Sequence, residues 1–275
     1  MVSAEGEAHY RPPDPHTHVG PRPVRQGGVY PDEPATFRQY HSFKESTRSW
    51  RDDPLLFAPG THWHYSGAVN LIQGIVETVS GMPFEEYLRR HVWEPAGMVS
   101  TQFDVPNRIV PHRGRGYWRN PKNGQLENFP DSDLSYNYAG GGIISSDEDL
   151  CRFAAALNAG RLLQPKELAE MYRRQLPADI TLTEEGAAIL NSRRPGLPPY
   201  QPGDVQALLW VVGHDAAARP YFGHTGGAKG TSSVLINYSE QGVAVVLHLN
   251  FDRLARNFEL VGAIAQIFLP APDKK

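Results

Sequence analysis

The spacing of apolar positions is most regular in AVNLIQGIVETVSG, residues 68–81. Val69, Ile72, Val76 and Val79 recur at helical intervals, Leu71 and Ile75 widen the stripe, and Gly81 is placed to end it. PFEEYLRRHVWEPAGM predicts a second helix with Phe84, Tyr87, Leu88 and Val92 on one face and Pro95 as the stop. In YAGGGIISSDEDLCRFAAALNAG three consecutive glycines let the backbone approach a neighbour closely. Ser145 or Ser146 then caps a helix whose stripe is Leu150, Phe153 and Leu157. Toward the C-terminus the period falls to that of strands. ALLWVVGHD reads as one strand, and residues 221–250 read as a hairpin of two apolar segments around a polar turn. A last helix follows, with Leu254, Phe258, Val261 and Phe268 on one side.

The remaining stretches are punctuated by Pro and Gly. Residues 1–35 are rich in Pro, His and Gly and read as an extended loop. A helix is expected in ATFRQYHSFKESTRSWRDDPLLF, broken at Pro54. Residues 104–138 are irregular apart from short strands near GRGYWRN and a turn at Asn123-Gly124, and 175–204 are loop-rich. The order of elements predicts a single α+β domain over 1–275, an antiparallel sheet flanked by helices with a helical insert.

Composition narrows the function classes. The 275 residues carry a net charge of −3 with 40% hydrophobic residues, which leaves no basic surface for nucleic acid. No apolar run reaches the roughly 18–20 residues of a membrane span, and the N-terminus has no basic-then-apolar leader. The single cysteine, Cys151, excludes an internal disulfide and sits in a helical context.

Three kinds of chemistry are suggested by residue type alone, and each is incomplete. His16-x-His18 and His62-x-His64 place imidazoles on one side of a strand, but nothing completes a metal site, and no metal or cofactor is expected. AGGGIISS before a helix resembles an anion cradle without either phosphate-loop spacing, so a tight turn beneath the helix explains it better. No G-x-S-x-G marks a Ser-His-Asp hydrolase.

A fourth pattern is more specific. PGTHWHYSG leading to EPAGMVST, then AGGGIISSDEDLCRF, then HTGGAKGTSS resemble, in order, three motifs of the β-lactamase-related serine hydrolases, the class C β-lactamase and penicillin-binding-protein-like group. The likeness is strongest to its mitochondrial branch and bacterial relatives. It extends over nearly the whole chain and implies the β-lactamase/transpeptidase-like fold. By that resemblance Tyr65 exchanges a proton with the nucleophile and leaving group. His224 and Thr225 hydrogen-bond the substrate, Gly226 keeps the strand uncluttered, and Gly227 supplies an oxyanion N–H. The partner implied is a small-molecule or peptide acyl substrate, and the resemblance admits a homo-oligomer. It leaves the compartment open: mitochondrial in a eukaryote, otherwise cytoplasmic or periplasmic.

Two departures qualify this reading. The family nucleophile is the Ser of S-x-x-K, yet no serine from Ser3 to Ser239 has Lys three residues later. Ser42-Phe43-Lys44 is one residue too tight. The segment after Tyr65 is one residue short, with Gly67 where the family commonly has Asn. The nucleophile is worth about 10⁶ in kcat, or ~8 kcal/mol, against roughly a hundredfold for a positioning amide. The expectation is therefore an N-terminally truncated C-terminal portion of such a hydrolase, inactive as written. The alternative is a non-catalytic binding or self-assembling protein on the same scaffold. A fold lacking the N-terminal strands and S-x-x-K helix would leave the apolar faces of SSVLINY and VAVVLHL partly uncovered and a sheet edge open.

Overall fold

The computed structural model describes residues 42–48, 52–64, 66–131, 133–176, 181–182, 207–251 and 257–271. The extended loop expected over 1–35 lies outside them. In chain order the helices are α1 (Phe43–Ser46), α2 (Leu71–Ser80), α3 (Phe84–Leu88), α4 (Glu94–Ala96), α5 (Asp147–Asn158), α6 (Pro165–Tyr172) and α7 (Asn257–Phe268). The strands are β1 (His62–Trp63), β2 (Gln102–Phe103), β3 (Tyr117–Arg119), β4 (Leu126–Asn128), β5 (Ile143–Ile144), β6 (Thr181–Leu182), β7 (Val211–His214), β8 (Pro220–Ala228), β9 (Thr231–Tyr238) and β10 (Val243–Leu249). The mixed α+β class follows, with the long strands gathered at the end of the chain.

Four of these strands form an antiparallel sheet in the order β10-β9-β8-β7. Its central strand β9 is buried on both faces. Val234, Ile236 and Tyr238, each 1% exposed, pack with Val245 of β10 and with Val261, Ala265 and Leu269 at the end of α7. On the opposite face Asn237 is fully buried and exchanges two amide hydrogen bonds of 2.9 Å with Asn158 of α5. Strand β9 is therefore covered on both faces, contrary to the expectation from SSVLINY, because α7 takes one side and α5 the other; in β10 only Val245 is buried, so VAVVLHL is partly uncovered as expected. The edge is as expected: among the described residues no strand pairs beyond β10.

Helix α7 confirms Val261 as inward but not Phe268, which is 67% exposed; Leu269 takes its place. Steps of four residues from Val261 through Ala265 reach Leu269, so Phe268 lies one position round the helix. Leu254 and the Phe258 side chain lie outside the described residues.

The insert has its own core of Phe84, Trp93, Ala96, Met98, Phe103, Tyr138 and Ala156. Phe103 and Tyr138 stack at 4.0 Å. Pro95 does not end the second helix, as the sequence suggested. A π turn over Arg89–Trp93 absorbs the proline, and Gly97 at φ +76° closes α4. Proline has no N–H to give, so a widened turn just before it loses little. Helix α2 ends at Gly81, φ +69°, as predicted. Its inward face is unexpected, however. Gln73 is buried and Gly74 admits the ring of Phe43, to which a Cβ there would come within 2.3 Å. Leu71, Ile72, Ile75 and Val79 are all exposed, at 41–82%.

The triple glycine wraps one residue. The N–H groups of Gly140, Gly141 and Gly142 all donate to the carbonyl of Asn137, at 3.1, 2.8 and 2.8 Å. Helix α5 then starts at Ser146, whose hydroxyl accepts from the Asp149 N–H. Asp149, fully buried, turns its carboxylate away from the cap. It accepts from Val99 N (3.1 Å), Ser100 N (2.7 Å), the Thr101 hydroxyl (2.8 Å) and Arg152 (2.9 Å). Burial pushes this carboxyl's pKa up, but the hydrogen bonds from Ser100, Thr101, Val99 and Arg152 together hold it below the ordinary value.

Two consequences are measurable. A folded-state pKa below the unfolded one gives stability that is present above the unfolded value of about 4 and lost as pH falls through the folded value. Resistance to urea should therefore fall from pH 5 downward, and Asp149→Asn should both flatten that dependence and cost about 3 kcal/mol at pH 7. A Cβ on Gly142 would meet Tyr138 Cδ1 at 2.8 Å and the Leu134 carbonyl at 2.9 Å, whereas one on Gly141 meets only Asn137 Nδ2 at 3.3 Å. Gly142→Ala should thus lower the urea midpoint by the equivalent of about 1–3 kcal/mol, with Gly141→Ala clearly milder.

Candidate functional site

The predicted substrate strand is β8, and its pairing is asymmetric. Along its whole length from Phe222 it pairs with β9, His224 opposite Leu235, Thr225 opposite Val234, Gly226 opposite Ser233 and Gly227 opposite Ser232. Strand β7 covers only Pro220 to Gly223 on the other side. From His224 to Ala228 the strand therefore runs on past its neighbour, with Gly226 and Gly227 exposed. A Cβ at 226 would lie 2.4 Å from Ser233 Oγ, so any larger residue there forces that hydroxyl to another rotamer.

Alternation along the strand separates the predicted residues. Phe222 stacks on Tyr172 of α6 at 3.6 Å, and Tyr221 sits against Tyr238 on the α7 side. His224 and Gly226 consequently share the α5–α6 face, and Thr225 and Gly227 the other. His224 Nδ1 lies 2.6 Å from the Thr225 carbonyl. A carbonyl can only accept, so the ring carries its proton on Nδ1 toward it.

Tyr65 lies outside the described residues. Its neighbour Ser66 accepts from Ala68 N at 3.2 Å and starts a short 3₁₀ turn, Gly67–Asn70. The amide that Gly67 lacks reappears three residues on. Asn70 donates to the Gly67 carbonyl (3.0 Å) and to Asn137 Oδ1 (2.7 Å), and its own oxygen accepts from Gly140 N (3.1 Å). The local pattern gave Asn70 no special weight, because its partners lie 67 and 70 residues away. A polar residue at the head of an apolar helix was the one signal available.

A cavity of about 520 Å³ lies elsewhere, at the mouth of α2 and α3. Its polar groups are already engaged. Glu77 accepts from Gln73 and Phe84 N. Glu85 accepts from Arg108 at 2.6 Å and from Phe103 N at 3.0 Å. Burial raises the Glu85 pKa, but these two partners carry it below the ordinary value. Tyr138 is pushed up to about 12, by burial first and then by Asp133 and Glu85, and stays neutral. Its two carboxylates are thus held by donors and its tyrosine is neutral.

Among the described residues no group of three His, Cys, Asp or Glu side chains could hold a metal. His62 is engaged with Thr61 at 2.9 Å and packs on Phe57, while His16 and His18 lie outside the described residues. Cys151 is on α5, its thiol pushed up by burial and by Asp147.

Comparison with known proteins agrees with this arrangement of motifs. The beta-lactamase family profile matches residues 25–267. The mitochondrial serine beta-lactamase-like protein LACTB of Mus musculus is 30% identical over 227 residues, covering 78% of this chain and 39% of that protein. Esterase EstB of Burkholderia gladioli is 30% identical over 148 residues, 47% of this chain and 38% of its own. The structure of D-amino acid amidase from Ochrobactrum anthropi SV3 superposes with a TM-score of 0.64 at 20% identity, covering 86% of this chain and 65% of that one. This chain spans well under half the length of the mitochondrial relative. With the profile matching most of its residues, the chain belongs to the beta-lactamase family of serine-hydrolase-like proteins.

Proposed function

We propose that residues 224–228 of β8 are the substrate-side strand of a serine acyl-transfer site, acting on a peptide, ester or amide acyl group. The observation that carries this reading is the run of β8 beyond β7, where an extended acyl substrate could add as a further strand. The imidazole contact to the Thr225 carbonyl supports it too. A carbonyl taken up in this way points off the open edge, and ladder geometry puts Gly227 N–H on the same side. There that N–H donates to the oxygen that gains charge as the acyl carbon becomes tetrahedral. His224 and the Thr225 backbone hold the substrate, Gly226 leaves it room, and Tyr65 carries a proton between nucleophile and leaving group.

The 275 residues contain no S-x-x-K. In this reading they supply binding and oxyanion donors but no attacking hydroxyl. A missing nucleophile costs about 10⁶ in kcat, far more than any of the positioning groups restores. The chain on its own is therefore a binder of acyl ligands, and turnover belongs to a protein that adds Ser and Lys.

The probe is N-acetyl-D-alanyl-D-alanine, titrated into the ¹⁵N-labelled chain. Amide shifts should concentrate at residues 224–227, and His224→Ala should weaken binding about tenfold while leaving the unfolding midpoint nearly unchanged. Shifts confined to the α2–α3 cavity would overturn the placement. Nitrocefin and p-nitrophenyl acetate should be hydrolysed no faster than in buffer; turnover by the purified chain would overturn the non-catalytic part.

A further inference from the structure

The turn that ends β8 is held from outside the sheet. Lys229 adopts φ +50°, in the left-handed region that a lysine enters only under constraint. Its ammonium lies 2.8 Å from Asp104 Oδ2, with the lysine side chain 15% exposed and that of the aspartate 8%. Arg113 takes the same carboxylate from the other side, Nη1 at 2.8 Å from Oδ1 and Nη2 donating to Oδ2 at 3.1 Å. Asp104 follows β2 in the insert, where its own N–H donates to the Gly142 carbonyl at 2.9 Å. Asp104 thus links the triple-glycine segment through its backbone, and the loop carrying Arg113 and the β8–β9 turn through its carboxylate.

The same turn is tight on its other side. A Cβ on Gly116 would lie 1.8 Å from the Lys229 carbonyl, and one on Gly230 would lie 2.5 Å from Phe129 Cβ. Tyr117 N donates to the Gly230 carbonyl at 3.1 Å, and the Thr231 hydroxyl to the Ala228 carbonyl at 2.6 Å. Backbone contacts fix the turn against β3, and the Lys229 side chain ties it to Asp104 through a charge.

We propose that Asp104 is a positioning residue. Through Lys229 it fixes the open segment 224–228 relative to the insert, and so sets the geometry in which that segment meets a ligand. The last part rests on the proposed function; the positioning itself does not.

Hydrogen exchange of the backbone amides, together with N-acetyl-D-alanyl-D-alanine affinity, tests this on the full chain. Asp104→Asn removes the carboxylate. Lys229→Gly removes the cation while accepting the left-handed backbone, so that it keeps the fold if the aspartate variant does not. In either variant, exchange at residues 224–231 should speed by tenfold or more with Ile236 and Tyr238 unchanged, and affinity should fall about tenfold. Lys229→Arg, which keeps a cation opposite Asp104, should restore both. Exchange that is unchanged in Lys229→Gly, or that rises uniformly through β9, would overturn the proposal. Wild-type protein that binds no ligand at 224–227 would instead remove the proposed function, with the exchange arm still deciding the role of Asp104.

Discussion

Everything in the sheet depends on the register of β9, and one amide pair sets it. Asn237 is fully buried and makes reciprocal hydrogen bonds with Asn158, while Ile236 and Tyr238 on either side face α7. A slip of one residue would drive the amide into the apolar face under α7 and bring Ile236 opposite Asn158. An unpaired amide in such surroundings costs about 1–3 kcal/mol at each end, so the pair discriminates strongly between registers. The faces presented by His224 and Thr225 follow from that choice, because both are paired through β9.

Asp149 and Asp104 extend the same logic to the insert. Each is a buried carboxylate gathering donors from segments far apart in sequence: Asp149 joins α5 to residues 99–101, and Asp104 joins the insert to the β8–β9 turn. Neither supplies much net stability over a well-packed apolar alternative, since desolvation opposes the attraction. What they contribute is a single allowed arrangement of segments, because any other leaves a charge buried without partners.

This also explains what could be read from the chain and what could not. Helix α5 and its serine cap, the Gly81 stop and the late strands were legible because local spacing and capping chemistry specify them. The three ordered motifs gave the family and drew attention to His224. The inward face of α2 was misread because hydrophobic spacing reports which residues share a side, not what that side meets. Here Gly74 and Gln73 face Phe43 and the cavity, Val76 packs on the insert's core, and Leu71, Ile72, Ile75 and Val79 face outward. Pro95 was misread because a π turn has no sequence period of its own. Asp104, Asn70 and Asn137 were invisible, since a polar residue gains meaning only from partners that folding brings to it.

Strand β10 has a further implication. Its seven residues include no Asp, Glu, Lys, Arg or Pro, and nothing among the described residues pairs with its outer edge. Charged or proline-bearing edges discourage strands from adding to one another, and this one lacks both devices. Among the described residues the β10 edge therefore keeps a row of backbone donors and acceptors that another extended segment can match.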